Sequence, residues 1–103
     1  MRFLVKVTIP VDAGNKAIKA GTLSTRIQSA MSELKPEAAY FLEEDGHRTA
    51  ILILYLKDVS QIPAVAEPFF LGMNAQVRFH PVMTQEDLGR AGLDELAKKW
   101  GGD

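Results

Sequence analysis

The chain has 103 residues, 12 basic and 13 acidic side chains, a net charge of -1, and no cysteine. That balance excludes a disulfide framework, a thiol nucleophile and cysteine-based metal sites, and without a basic block it carries no nucleic-acid footprint. The length suits a single domain over residues 1–103 with one modest core, and no stretch reaches the roughly 20 apolar residues of a membrane span.

The opening Met1-Arg2-Phe3-Leu4-Val5-Lys6 has no cleavable signal pattern, so a cytoplasmic protein in a reducing compartment is expected. Phe3, Val5, Val7 and Ile9 alternate with Leu4, Lys6 and Thr8. The alternation predicts a half-buried strand that stops at Pro10. Asn15 is expected to cap a helix, along which Ile18, Leu23, Ile27, Ala30, Met31 and Leu34 recur at helical spacing. Pro36 should end it near Lys35, and Gly21 within it weakens it by about 1 kcal/mol relative to alanine.

Pro36 to Leu56 reads as a β-hairpin. Asp45-Gly46 is its turn, because both positions accept positive φ. The second arm contains Ala50-Ile51-Leu52-Ile53-Leu54-Tyr55-Leu56, apolar on both faces. A strand with one wet face should alternate, so both faces of this one need cover. Asp58 or Ser60 can cap a second long helix, which tolerates Pro63 early, should kink or shorten at Pro68, and should end at Gly72. A fourth strand spans about Ala75 to Val82, with Gln76, Arg78 and His80 on one side and Val77 and Phe79 on the other. Thr84-Gln85-Glu86-Asp87 resembles a capping box that opens a C-terminal helix. Leu88, Leu96 and Trp100 form its stripe and are expected to pack on the body or on a partner.

The order β-α-β-β-α-β-α predicts an α+β protein, a ferredoxin-like βαββαβ unit plus a C-terminal helix. It has a four-stranded antiparallel sheet with both long helices on one face. The other face would expose the outer side of the third strand, too large an apolar patch to leave in water. Pairing of two such faces into a homodimer removes it. At this point the chain resembles the dimeric α+β barrel superfamily. The run Phe3 to Asp12, and Pro68-Phe69-Phe70-Leu71 followed by the strand Ala75 to Pro81, are similar to muconolactone isomerases. The run Leu34 to Phe41 more closely resembles a bacterial family of stand-alone domains with the same fold. The resemblance implies a barrel closed across the dimer. The isomerases' second strand bears histidine and tryptophan, whereas this one reads Ala38-Ala39-Tyr40-Phe41-Leu42, so isomerase activity does not carry over.

The candidate ligand-binding residues are Lys6, Tyr40, Arg78 and His80. By alternation His80 shares a face with Arg78 and Gln76, and Lys6 and Thr8 of the neighbouring first strand should join it. An imidazole beside cations is disposed to stay neutral, so His80 could act as a base or hold an anion. The plain alternative is a solvated strand-end histidine. Tyr40 could present its phenol to a cavity or be a core aromatic with its hydroxyl at the rim. His47 should face Glu44 as hairpin decoration, and Glu43 should face Arg48 as a rim ion pair. No His/Glu spacing suits a metal and no glycine loop suits a nucleotide, so no cofactor is expected. The expected function is binding of a small, largely apolar or acidic molecule in a cavity between sheet and helices. The alternatives are a cofactor-free isomerase or monooxygenase, and an oligomerisation module without ligand.

Overall fold

A computed structural model describes residues 1–102. Strand β1 (Arg2–Ile9) is followed by α1 (Val11–Lys19) and α2 (Leu23–Leu34), then by the hairpin β2 (Ala38–Glu44) and β3 (His47–Tyr55). A single 3₁₀ turn (Val59–Gln61) leads into α3 (Ile62–Met73), and β4 (Gln76–Pro81), α4 (Gln85–Gly89) and α5 (Leu93–Trp100) complete the chain. The strands form one antiparallel sheet in the order β2-β3-β1-β4. The fold is therefore α+β, with a four-stranded antiparallel sheet and five α-helices.

Alternation in β1 decides which face meets the helices. Phe3, Val5, Val7 and Ile9 are buried, and their register partners Leu54, Leu52 and Ala50 on β3 and Phe79 and Val77 on β4 point the same way. Ala30 of α2 and Val65, Phe69 and Met73 of α3 complete this core, with Leu23, Ile27 and Met31 packed against it. Val5, Val7 and Leu52 have no exposure at all. Phe3 and Phe79 meet edge to face at 6.1 Å, a favoured aromatic geometry. The opposite face of β3 carries Ile51 and Ile53, both half-buried with no helix above them. The sequence expectation of a strand apolar on both sides thus describes β3.

The hairpin turn has the two residues expected, Asp45 at φ 52° and Gly46 at φ 77°. Helix boundaries differ from the sequence expectation in three places. Gly21 adopts φ 73° and splits the first helix in two, because a left-handed residue cannot continue an α-helix. The first piece starts after Pro10, and Asn15 lies inside it instead of capping it. The second long helix instead runs through Pro68 and Gly72 to Met73 and ends where Asn74 takes φ 51°. Pro68 leaves the Ala64 carbonyl without its helical donor, but Ala64 and Pro68 are both exposed, so water can serve it. Arg26 of α2 donates to the Gly72 carbonyl and ties the two helices together. Asp58 caps the 3₁₀ turn, accepting from Ser60 N at 2.9 Å.

The C-terminal segment is the third difference. It forms two helices, with Gly92 at φ 74° between them. Its capping box forms as expected, Asp87 N donating to Thr84 Oγ1 at 3.1 Å and Thr84 N to Asp87 Oδ2 at 2.9 Å. The segment does not pack on its own body. Leu88, Leu93, Leu96 and Trp100 are all exposed, Trp100 by 74%. The chain measures 62 × 29 × 20 Å with a radius of gyration of 17.6 Å. A compact domain of this length has about 13 Å.

Two outcomes follow. Gly21→Ala should destabilise the protein by about 1 kcal/mol, the cost of a Cβ in left-handed backbone, although alanine is the better helix former. No atom lies within 4 Å of that Cβ, so urea unfolding would report the backbone cost alone. The Asp87 carboxyl is held below the ordinary range, first by the Thr84 backbone N–H and then by its hydroxyl. A depressed carboxyl stabilises above its unfolded pKa of about 3.9, and that support is lost as pH falls through the folded value. The Thr84 amide resonance should therefore titrate below about pH 4 in the native chain and stay flat in Asp87→Asn.

Candidate functional site

Two surfaces bring chemistry together, on opposite sides of the sheet. The first is the helix-free face. Register places Tyr40, Ile51, Lys6 and Arg78 in one row across the four strands, and Ala38, Ile53, Leu4 and His80 in the next. All four candidate residues therefore share a face, as alternation predicted for Lys6, Arg78 and His80. That face points away from the helices, so these residues do not line a cavity between sheet and helices. In these two rows the half formed by β2 and β3 is apolar. The half formed by β1 and β4 is polar, with Thr8 opposite Gln76.

Lys6 is already engaged. Its ammonium lies 2.7 Å from Glu44 Oε1, spanning β3 on the face that carries buried Thr49. A cation so paired has little charge left for a ligand. Arg78 reaches Gln76 Oε1 at 3.4 Å and, among the described residues, has no carboxylate partner. His80 is exposed two residues along the strand, opposite Leu4. Tyr40 is 65% exposed in the apolar half, so its ring is not a core aromatic of its own subunit. A shallow depression of about 290 Å³ lies at the hairpin end of this face, lined by Thr8, Glu44, Asp45, His47, Gln76 and Arg78. It gathers Arg78 with His47, not with His80. His47 does sit opposite Glu44, and its Nδ1 lies 3.1 Å from the Asp45 carbonyl oxygen, the hairpin role expected of it.

The second surface is a slot between the sheet and α2, about 250 Å³ in volume. Leu23, Ile27 and Met31 form one wall, Val7 and Ala50 belong to its floor strands, and Phe41 stands at the β2 edge. The helical spacing of Leu23, Ile27 and Met31 turns one stripe of α2 toward the sheet. Phe41 stands on the edge strand and is more than half exposed. Arg48 and Thr49 are the only polar residues in the wall. Arg48 is opposite Glu43, as expected, but forms no ion pair with it. Its Nη2 donates instead to Asn15 Oδ1 at 3.0 Å, and Glu43 Oε2 accepts from Gly46 N at 3.1 Å. The guanidinium lies across Gly14, where an ideal Cβ would fall 2.5 Å from Nη1. A glycine at this point of α1 is what leaves room for the guanidinium to lie against the helix.

Sequence reasoning missed Arg48, Leu23, Ile27 and Met31 as site residues. The apolar stripe was visible, but a stripe that fills a core and one that lines a slot have the same spacing. Among the described residues no group of three or more His, Asp or Glu side chains could hold a metal, and no helix is long and apolar enough to cross a membrane. In comparisons with known proteins the chain matches no family model and no curated sequence. The geometry of these two surfaces is therefore the ground for a functional reading.

Proposed function

We propose that the protein is a homodimeric small-molecule-binding domain of the dimeric α+β barrel type. The helix-free faces of two copies would pair, and the slot beside α2 would take a small, largely apolar molecule with an acidic end. The slot carries the reading, because it is an apolar recess with a single charged residue, Arg48, in its wall. At about 250 Å³ it is slightly below the usual range for drug-sized ligands, so it suits a single ring or a short acyl chain. Arg48 pairs with carboxylates through its planar fork. The wall contains no His, Asp, Glu or Tyr, so no side chain there can act as a general base at neutral pH. Binding is the function this wall supports best, ahead of isomerase or monooxygenase chemistry.

The barrel assignment draws support from the strand order β2-β3-β1-β4, with α2 and α3 contributing to a core on one face, which is the ferredoxin-like arrangement. Dimerisation draws support from the uncovered apolar patch of Tyr40 and Ile51 in one row and Leu4 and Ile53 in the next. A second ligand reading rests on Arg78. It is the cation on the helix-free face without a carboxylate partner, so an anion could sit there with His80 beside it.

A thermal-shift titration with benzoate and hexanoate separates the two ligand sites. Ala50→Phe should fill the slot and abolish the shift. Arg48→Ala should weaken binding roughly tenfold or more, the loss of one charge-assisted contact. Arg78→Ala should change nothing. The opposite pattern would move the site to the helix-free face, and the absence of any shift would leave an oligomerisation module. The dimer is tested separately. Leu52→Asp should unfold the chain, because it buries a carboxylate in the core. Ile53→Asp should keep native circular dichroism and give a monomer by light scattering. A monomeric wild-type protein at micromolar concentration contradicts the dimer.

A further inference from the structure

The C-terminal arm, Thr84 to Gly102, has an apolar face with nothing against it. On α5, Leu93, Leu96, Ala97 and Trp100 follow the i, i+3, i+4, i+7 spacing of one helix face, and Asp94, Glu95, Lys98 and Lys99 lie off it. Every residue of α5 is exposed. Helices of 5 and 8 residues are too short to persist in water on propensity alone, so their stability has to come from packing.

We infer that this arm seats its Leu93–Leu96–Trp100 face on the body of a second copy, each arm of the pair reaching across to the other subunit. The inference rests on the dimer proposed above and says what completes it.

Two observations favour a second copy over the arm's own body. The first is how the arm leaves the sheet. Only Val82 and Met83 separate the end of β4 from the cap residue Thr84. Val82 N donates to the Arg2 carbonyl at 3.0 Å, and the Thr84–Asp87 bonds fix the next turn. A link of two residues, the first tied to β1 and the second followed at once by a capped helix, gives α4 little slack to fold back onto the core.

The second is area. Phe3 to Thr8 is the length of β1 paired on both sides, about 20 Å long, and four strands span about 19 Å. As a flat plan, smaller than its accessible surface, the doubly paired part of the helix-free face measures about 400 Å². A standard interface takes roughly 800 Å² from each partner. Half of the face is also polar. Sheet pairing alone falls short, and an exchanged amphipathic helix from each subunit makes up the difference. Exchange between two copies closes on itself, since the same arm and the same acceptor surface occur on both.

The single tryptophan makes the inference readable in the intact protein. Sedimentation equilibrium and acrylamide quenching of Trp100 are measured together on the wild type, Leu96→Asp and Ile53→Asp. The wild type should be a dimer with Trp100 shielded. Leu96→Asp, far from the core, should stay folded and raise the dimer dissociation constant at least roughly thirtyfold, the scale of a central interface residue. Ile53→Asp should be a monomer whose Trp100 is quenched as freely as a free tryptophan derivative. A wild-type dimer with fully quenched Trp100 would refute the exchange and leave the dimer standing. Shielded Trp100 in monomeric Ile53→Asp would place the arm on its own body and also refute it. A wild-type monomer would refute both.

Discussion

Everything in this fold hangs on the period of two in β1. Because β1 pairs with β3 from Arg2 to Ile9 and with β4 from Phe3 to Thr8, its alternation is transmitted through the register to both neighbours. Val5 and Val7, with Leu52 across from Val5, are completely enclosed, so the sheet cannot slide by one residue without turning Leu4, Lys6 and Thr8 into the helices. Burying an ammonium there would cost several kcal/mol, a large part of the stability of a domain this small. The division into one helix-covered face and one bare face follows from that single constraint.

The strands were legible in the sequence because their signals are local and redundant. Alternation marked β1 and β4, Asp45-Gly46 fixed the hairpin, and the unbroken run from Ala50 marked β3 as apolar on both sides. The placement of Lys6, Arg78 and His80 on one face followed from the same arithmetic, and the register bears it out, while Tyr40 joins them only through the pairing of the hairpin with β1. The helices were less legible. A glycine inside a helical pattern weakens it or breaks it according to whether φ turns positive, and the spacing of apolar residues does not carry that information. Gly21 and Gly92 broke, while Gly72 did not.

The site was the least legible part, and the reason is geometric. Alternation says which residues share a face but not which face the helices take, so Arg78 and His80 could be grouped without being placed. Arg48 could be found only through its neighbours. Its partner Asn15 is 33 residues away, and the glycine that makes room for it is one position earlier on the same helix. Sequence spacing within the hairpin offered Glu43 instead, but Glu43 bonds to the turn. Contacts between a strand end and a helix that precedes it leave no periodic trace.

Strand β2 has a neighbour on one side only, and Tyr40, Phe41 and Leu42 are exposed along it. Its outer row of amide and carbonyl groups is a template onto which another extended chain can add. The three apolar residues would make such an addition sticky, and the flanking sequence opposes it. Pro36 cannot donate to a growing ladder, and Glu43 and Glu44 place one carboxylate on each face at the other end. Stacked chains in register would bring these carboxylates together at strand spacing, so repulsion would accumulate with every chain added. The acidic end of the hairpin therefore also acts against fibre growth along the β2 edge.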